Sequence, residues 1–122
     1  MRAYALFRLG AGEDVIEVSP GEFIGRSDMA TLCVDDPRVS EAHAMVSLRG
    51  QSLKLLALRG RFVVDGKVSS EATLKKGLEV ELARGLKLHC VGVSMPKSLP
   101  GIEIEGMPPF LLTGTMTFFL EN

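Results

Sequence analysis

Gly25-Arg26 and Ser40-x-x-His43 are the residues of this sequence best suited to chemistry, and that chemistry is anion recognition. A guanidinium presents five N–H donors in a planar fork that matches an oxyanion, and a serine hydroxyl adds a donor from another direction. The clusters are held apart by a strand-like stretch, residues 31–34, and a turn at Asp35-Asp36-Pro37, so the serine arrives from the next loop. No nucleophile stands beside a base in either cluster. The layout is one of recognition rather than catalysis.

Other constellations offer less. Cys33, His43, His89 and Cys90 have the donor inventory of a tetrahedral zinc, but lack the Cys-x-x-Cys or His-x₃-His clips that pre-organise such sites. His89 and Cys90, as neighbours on a strand, point to opposite faces. Asp35-Asp36 begins a turn, and Glu79 and Glu81 alternate with Leu78, Val80 and Leu82 as a solvated strand face does, so neither reads as a hydrolytic carboxylate pair. With no Ser/His/Asp or Cys/His set and no phosphate-cradling glycine loop, the expectation is a protein that is not an enzyme and holds no metal or cofactor.

The 122 residues fit one domain able to bury about 65% of its unfolded surface without staples. Fourteen basic and 15 acidic residues leave a net charge of −1, which supports neither nucleic-acid nor membrane-surface binding. Any anion site is therefore local. The two cysteines lie in apolar alternating segments and no basic-then-apolar leader opens the chain, so a reducing, cytoplasmic setting is expected. The apolar stretches are too short to span a bilayer.

The elements that must position the clusters are strands. Short alternating runs at residues 2–9, 14–18, 22–24, 31–34, 44–48, 53–58, 62–64, 78–82 and 86–93 are separated by Gly, Pro and Asp turns, and no stretch keeps a helical period. The clearest turn is Val64-Asp65-Gly66-Lys67, because Asp-Gly is a favoured type I′ pair. The pattern predicts an all-β fold, a two-sheet antiparallel β-sandwich over residues 1–93. The proline-containing stretch 94–101 reads as a linker, and 102–122 as a short β-strand extension that begins a further, downstream domain.

The order Gly25-Arg26, a loop, Asp35-Asp36-Pro37, then Val39-Ser40-x-x-His43-Ala44 resembles the core signature of the forkhead-associated (FHA) domains, phosphothreonine-reading β-sandwiches of bacteria and eukaryotes. Val63-Val64-Asp65-Gly66 and the Leu74–Leu82 stretch resemble further parts of the pattern, and the likeness spans residues 2–93. It implies that Arg26 and Ser40 contact a phosphate, with Gly25 and His43 as structural support. From the residues alone, Arg26 reads first as a solvated loop arginine, and Ser40 serves as well as a turn serine capping a backbone group; it is the family pattern that reverses the reading of Arg26.

The sequence departs from the family between Leu58 and Val63. The asparagine that fixes the peptide backbone in phosphate-reading members is absent, and Arg59-Gly60-Arg61 stands in a shortened segment. Arg59 and Arg61 add positive charge at the edge of the implied site, whereas Glu41, directly after Ser40, opposes a phosphate dianion. Two functions are implied. One is a phosphothreonine-dependent protein-binding module that regulates an attached effector in bacterial kinase signalling; the other is a degenerate FHA fold serving as an assembly scaffold. The sequence leaves the partner's identity and the oligomeric state open.

Overall fold

Alternation along β1 (Tyr4–Leu9) turns Ala5 and Phe7 into the interior and Tyr4, Leu6 and Arg8 away from it, and the same period-two pattern repeats in the longer strands. The computed structural model describes residues 2–96, of which residues 3–94 form one compact unit. After β1 come β2 (Val15–Val18), β3 (Phe23–Gly25), β4 (Leu32–Cys33), β5 (Ala44–Arg49) and β6 (Ser52–Ala57). They are followed by β7 (Phe62–Val64), β8 (Lys67–Ser69), β9 (Glu71–Thr73), β10 (Glu79–Ala83) and β11 (Leu86–Ser94). One sheet has the order β2-β1-β11-β10-β7-β8 and the other β4-β3-β5-β6-β9, giving the all-β, two-sheet sandwich. Phe7, Val18, Ile24, Val46, Leu55, Phe62, Val80 and Leu88 are among the side chains fully buried in its core.

Two features differ from the expected pattern. The second sheet is mixed rather than antiparallel: β3 and β4 run parallel, pairing Ile24 with Leu32 and Gly25 with Cys33. The reversal is local. Thr31 N–H donates to the Phe23 carbonyl at 3.0 Å and Val34 N–H to that of Gly25 at 2.8 Å, so the loop carries the chain back to the start of β3 before it runs forward again. Strands β8 and β9, absent from the sequence reading, are short and largely exposed; of Glu71, Ala72 and Thr73 only Ala72 is buried. Hydrophobic alternation is too brief in them to be read, and pairing with β7 and β6 holds them in place.

The turn at Asp65-Gly66 has φ of 52° and 78°, the left-handed pair that a type I′ hairpin requires. Among the described residues no helix is long and apolar enough to cross a membrane. The expected extension at 102–122 lies outside the described residues, as does most of the expected linker; β11 itself continues to Ser94.

Phe62 opens β7 directly after the 58–61 loop and is 1% exposed. Phe62→Ala should lower stability by about 3–5 kcal/mol, combining lost transfer energy with a residual cavity, as measured by chemical denaturation.

Candidate functional site

Three connections come together where β3 ends and β5 begins: residues 26–31, 34–43 and 58–61. The first two touch backbone to backbone. Arg26 N–H donates to the Ser40 carbonyl at 2.9 Å, Ser27 N–H to that of Glu41 at 3.2 Å, and His43 N–H to that of Ile24 at 2.9 Å. Gly25 is buried inside this seam, and a Cβ there would collide with the carbonyl oxygens of Glu41 and Ser40. Its lack of a side chain is what allows the two chain segments to approach.

Arg26 projects from the seam with its side chain 42% exposed. Its Nε donates to the Val39 carbonyl at 3.0 Å, which anchors the guanidinium at one nitrogen. Nη1 lies 3.9 Å from Glu41 Oε2, a loose ion pair between exposed groups. Ser40 is half-buried, and both of its backbone groups are engaged. Its hydroxyl makes no hydrogen bond among the described residues, so the capping role considered for it is not taken up.

His43 joins the second connection to the third. It is 3% exposed; Nδ1 accepts the Ser40 N–H at 3.1 Å, and Nε2 lies 2.6 Å from the Arg61 carbonyl. A backbone N–H can only donate and a carbonyl can only accept, so the ring proton is assigned to Nε2. The 58–61 loop is drawn inward around this ring. Leu58 N–H donates to the His43 carbonyl at 2.9 Å, Arg59 N–H to that of Ala42 at 3.1 Å, and Gly60 N–H to that of His43 at 3.3 Å.

Gly60 lies against the imidazole, where a Cβ would overlap the ring. It has no positive φ, so its requirement is steric rather than conformational. Gly60 has no role readable in the sequence by residue type; the one available signal is a glycine between two arginines in a connection of only four residues. Arg59 and Arg61 are both exposed, and neither guanidinium has a hydrogen-bond or ion-pair partner among the described residues.

Arg38 is the other residue the sequence reading missed. Its Nε and Nη2 donate to the two carboxylate oxygens of Asp36 at 3.0 and 2.8 Å, and its backbone N–H donates to Oδ1 at 2.8 Å. Nη1 donates to the Arg84 carbonyl at 2.8 Å, tying the 34–43 connection to the turn between β10 and β11. These bonds from Arg38 hold the Asp36 carboxyl down from the ordinary 3.8 to about 2, and Asp36 in turn raises the Arg38 pKa. Nothing in sequence spacing announces a partner 46 residues away.

The residues weighed for metal binding are dispersed. Cys33 lies exposed on β4, Cys90 is buried on β11, and His89 Nδ1 stands 3.4 Å from Glu79 Oε2. Among the described residues no group of three His, Cys, Asp or Glu side chains could hold a metal ion.

With this geometry in place, comparison with known proteins gives a family. The FHA domain family model matches residues 23–83, half of the chain, and covers all three connections of the site. The chain belongs to the FHA domain family. No curated protein matches it in sequence. Among solved structures it is similar to an FHA domain studied for phosphothreonine-dependent interactions, with 22% identity and a TM-score of 0.62 over 72% of this chain and 95% of that one. It is also similar to the FHA domain of FhaA, solved with the intracellular domain of another protein, with 22% identity and a TM-score of 0.61 over 74% and 99% of the two chains. A third likeness is to EmbR of Mycobacterium tuberculosis in complex with a low-affinity phosphopeptide, with 20% identity and a TM-score of 0.60 over 73% of this chain and 25% of that longer one.

Two predictions test this local architecture. Gly60→Ala and His43→Ala should each destabilise the domain by about 1–3 kcal/mol in denaturant titrations, the first by overpacking the ring and the second by leaving buried backbone groups unpaired. Asp36 predicts an acid transition. Its folded-state pKa lies below its ordinary value, so its contribution is present above pH 3.8 and is lost as pH falls through about 2. Stability of the parent chain should decline across that window, and Asp36→Asn should remove that part of the decline.

Proposed function

We propose that this domain binds phosphothreonine-containing peptides or proteins, with Arg26 and Ser40 meeting the phosphate. The observation that carries the reading is a pair of donors held ready. Arg26 is anchored through Nε to Val39, and next to Val39 stands Ser40, its hydroxyl unengaged and its backbone bonded to both Arg26 and His43. A phosphate with its several acceptor oxygens is the ligand that such a combination suits best. Gly25 and His43 support the pair, and Arg59 and Arg61 add charge at its edge. Solved relatives studied for phosphothreonine dependence or bound to a phosphopeptide favour the same reading.

In this reading the module works without catalysis, in the cytoplasm, and delivers a kinase product to an effector carried elsewhere in its protein. Residues 1–93 are then the reader, 94–101 the linker and 102–122 the start of the next part. One observation favours the alternative of an assembly scaffold. The 58–61 loop has no asparagine, and its amides at 58, 59 and 60 are spent on the carbonyls of His43 and Ala42.

Glu41 sets the strength of the site. Its carboxylate faces Arg26 where a phosphate would compete for the same guanidinium, so ligand binding must displace it. In fluorescence anisotropy titrations, a phosphothreonine peptide should bind and its unphosphorylated counterpart should not. Arg26→Ala should weaken binding about 10- to 100-fold, the range expected for a hydrogen bond to a charged group. Glu41→Gln should strengthen it by a few-fold, within the worth of an exposed ion pair. Equal, Arg26-independent binding of both peptides would leave the scaffold reading in place.

A further inference from the structure

Resting on the phosphothreonine reading, we infer that the partner segment carries acidic residues beside its phosphothreonine, and that Arg59 and Arg61 are the groups that read them. The inference begins from what the 58–61 loop has left to offer. The N–H groups of Leu58, Arg59 and Gly60 are committed to carbonyls of Ala42 and His43, and the carbonyl of Arg61 accepts from His43 Nε2. Gly60 has no side chain and lies against the imidazole. Three of the loop's amides and one of its carbonyls are therefore already taken, and its two guanidinium groups are exposed and unpaired among the described residues.

The backbone that carries them is held at a set distance from the Ser40 backbone. His43 accepts from Ser40 N–H on one ring nitrogen and donates to Arg61 on the other, so a single buried ring sets the spacing of the Ser40 backbone and the Arg61 backbone. Other arginines nearby have other tasks. Arg38 is spent on Asp36 and the Arg84 carbonyl, and Arg26, anchored through Nε on Val39, is the group assigned to the phosphate. Arg59 and Arg61 are the charges left over, in a protein whose net charge is −1. Long guanidinium arms on an anchored loop suit carboxylates of a neighbouring chain, to which they can bind in a planar, two-point fashion. Charge complementarity thus selects an acidic peptide over a neutral or basic one.

The test uses the full chain and three phosphothreonine peptides whose flanking residues are Ala, Glu or Lys, each with its unphosphorylated control, titrated at low and high salt. The expected order is Glu before Ala before Lys, with about a fivefold step between Glu and Ala at low salt that shrinks at high salt. The double substitution Arg59→Gln, Arg61→Gln should remove the preference while binding stays dependent on the phosphate and on Arg26. Phosphate- and Arg26-dependent binding with no preference among the flanks, or with the preference intact in the double variant, would overturn this inference and leave the phosphate reading standing. Binding that ignores the phosphate in all three peptides would overturn both. A circular dichroism spectrum and melting curve of the double variant matching the parent exclude misfolding as the cause of any loss.

Discussion

The candidate site depends on one buried imidazole. His43 offers one acceptor and one donor, and the fold gives it one backbone donor and one backbone acceptor from different loops. Ser40 N–H and the Arg61 carbonyl have no regular ladder partner at those positions, and a buried backbone group left unpaired costs about 1–3 kcal/mol. The ring satisfies both while carrying little exposed surface of its own. An aliphatic residue of similar volume would fill the space and leave two polar groups stranded. An asparagine would be too short to bridge connections that belong to different strand pairs.

Two glycines make the bridge possible. Gly25 lets β3 run close enough to residues 40 and 41 for Arg26 and Ser27 to bond their carbonyls, and Gly60 lets the next loop close over the ring. Neither position needs left-handed backbone; both need an absent Cβ. This separates them from Gly66, whose φ of 78° serves a turn. The same residue type answers two different physical demands in one small domain.

That difference bears on what the sequence could disclose. Strands with a sustained period of two, such as β1, β5 and β6, could be read directly because burial enforces alternation over several residues. Asp65-Gly66 could be read because the turn's backbone conformation restricts residue choice. β8 and β9 escaped because three residues are too few to show a period, and the parallel β3–β4 pair because a two-residue ladder carries no directional pattern. At the site, Arg26, Ser40 and His43 stood out by type and by family pattern. Gly60 and Arg38 did not, since their importance lies in what they meet across the fold: an imidazole 17 positions earlier in one case and a carbonyl 46 positions later in the other.

The loose Arg26–Glu41 pair and the tight Asp36–Arg38 pair show how similar charges serve opposite ends. Arg38 and Asp36 are close enough for paired hydrogen bonds, and the arginine also reaches the Arg84 carbonyl in the β10–β11 turn, so separating them would break several charge-assisted bonds at once. Arg26 and Glu41 meet only at 3.9 Å with both side chains exposed, where water screens the attraction and little holds them together. The first arrangement fixes the segment that carries Val39 and Ser40. The second leaves a guanidinium, oriented by its bond to the Val39 carbonyl, easily released. Such a site has a backbone held by hydrogen bonds and a guanidinium loosely engaged at its surface; under the proposed reading the ordering cost is met during folding, and a phosphate has only a weak internal competitor to displace.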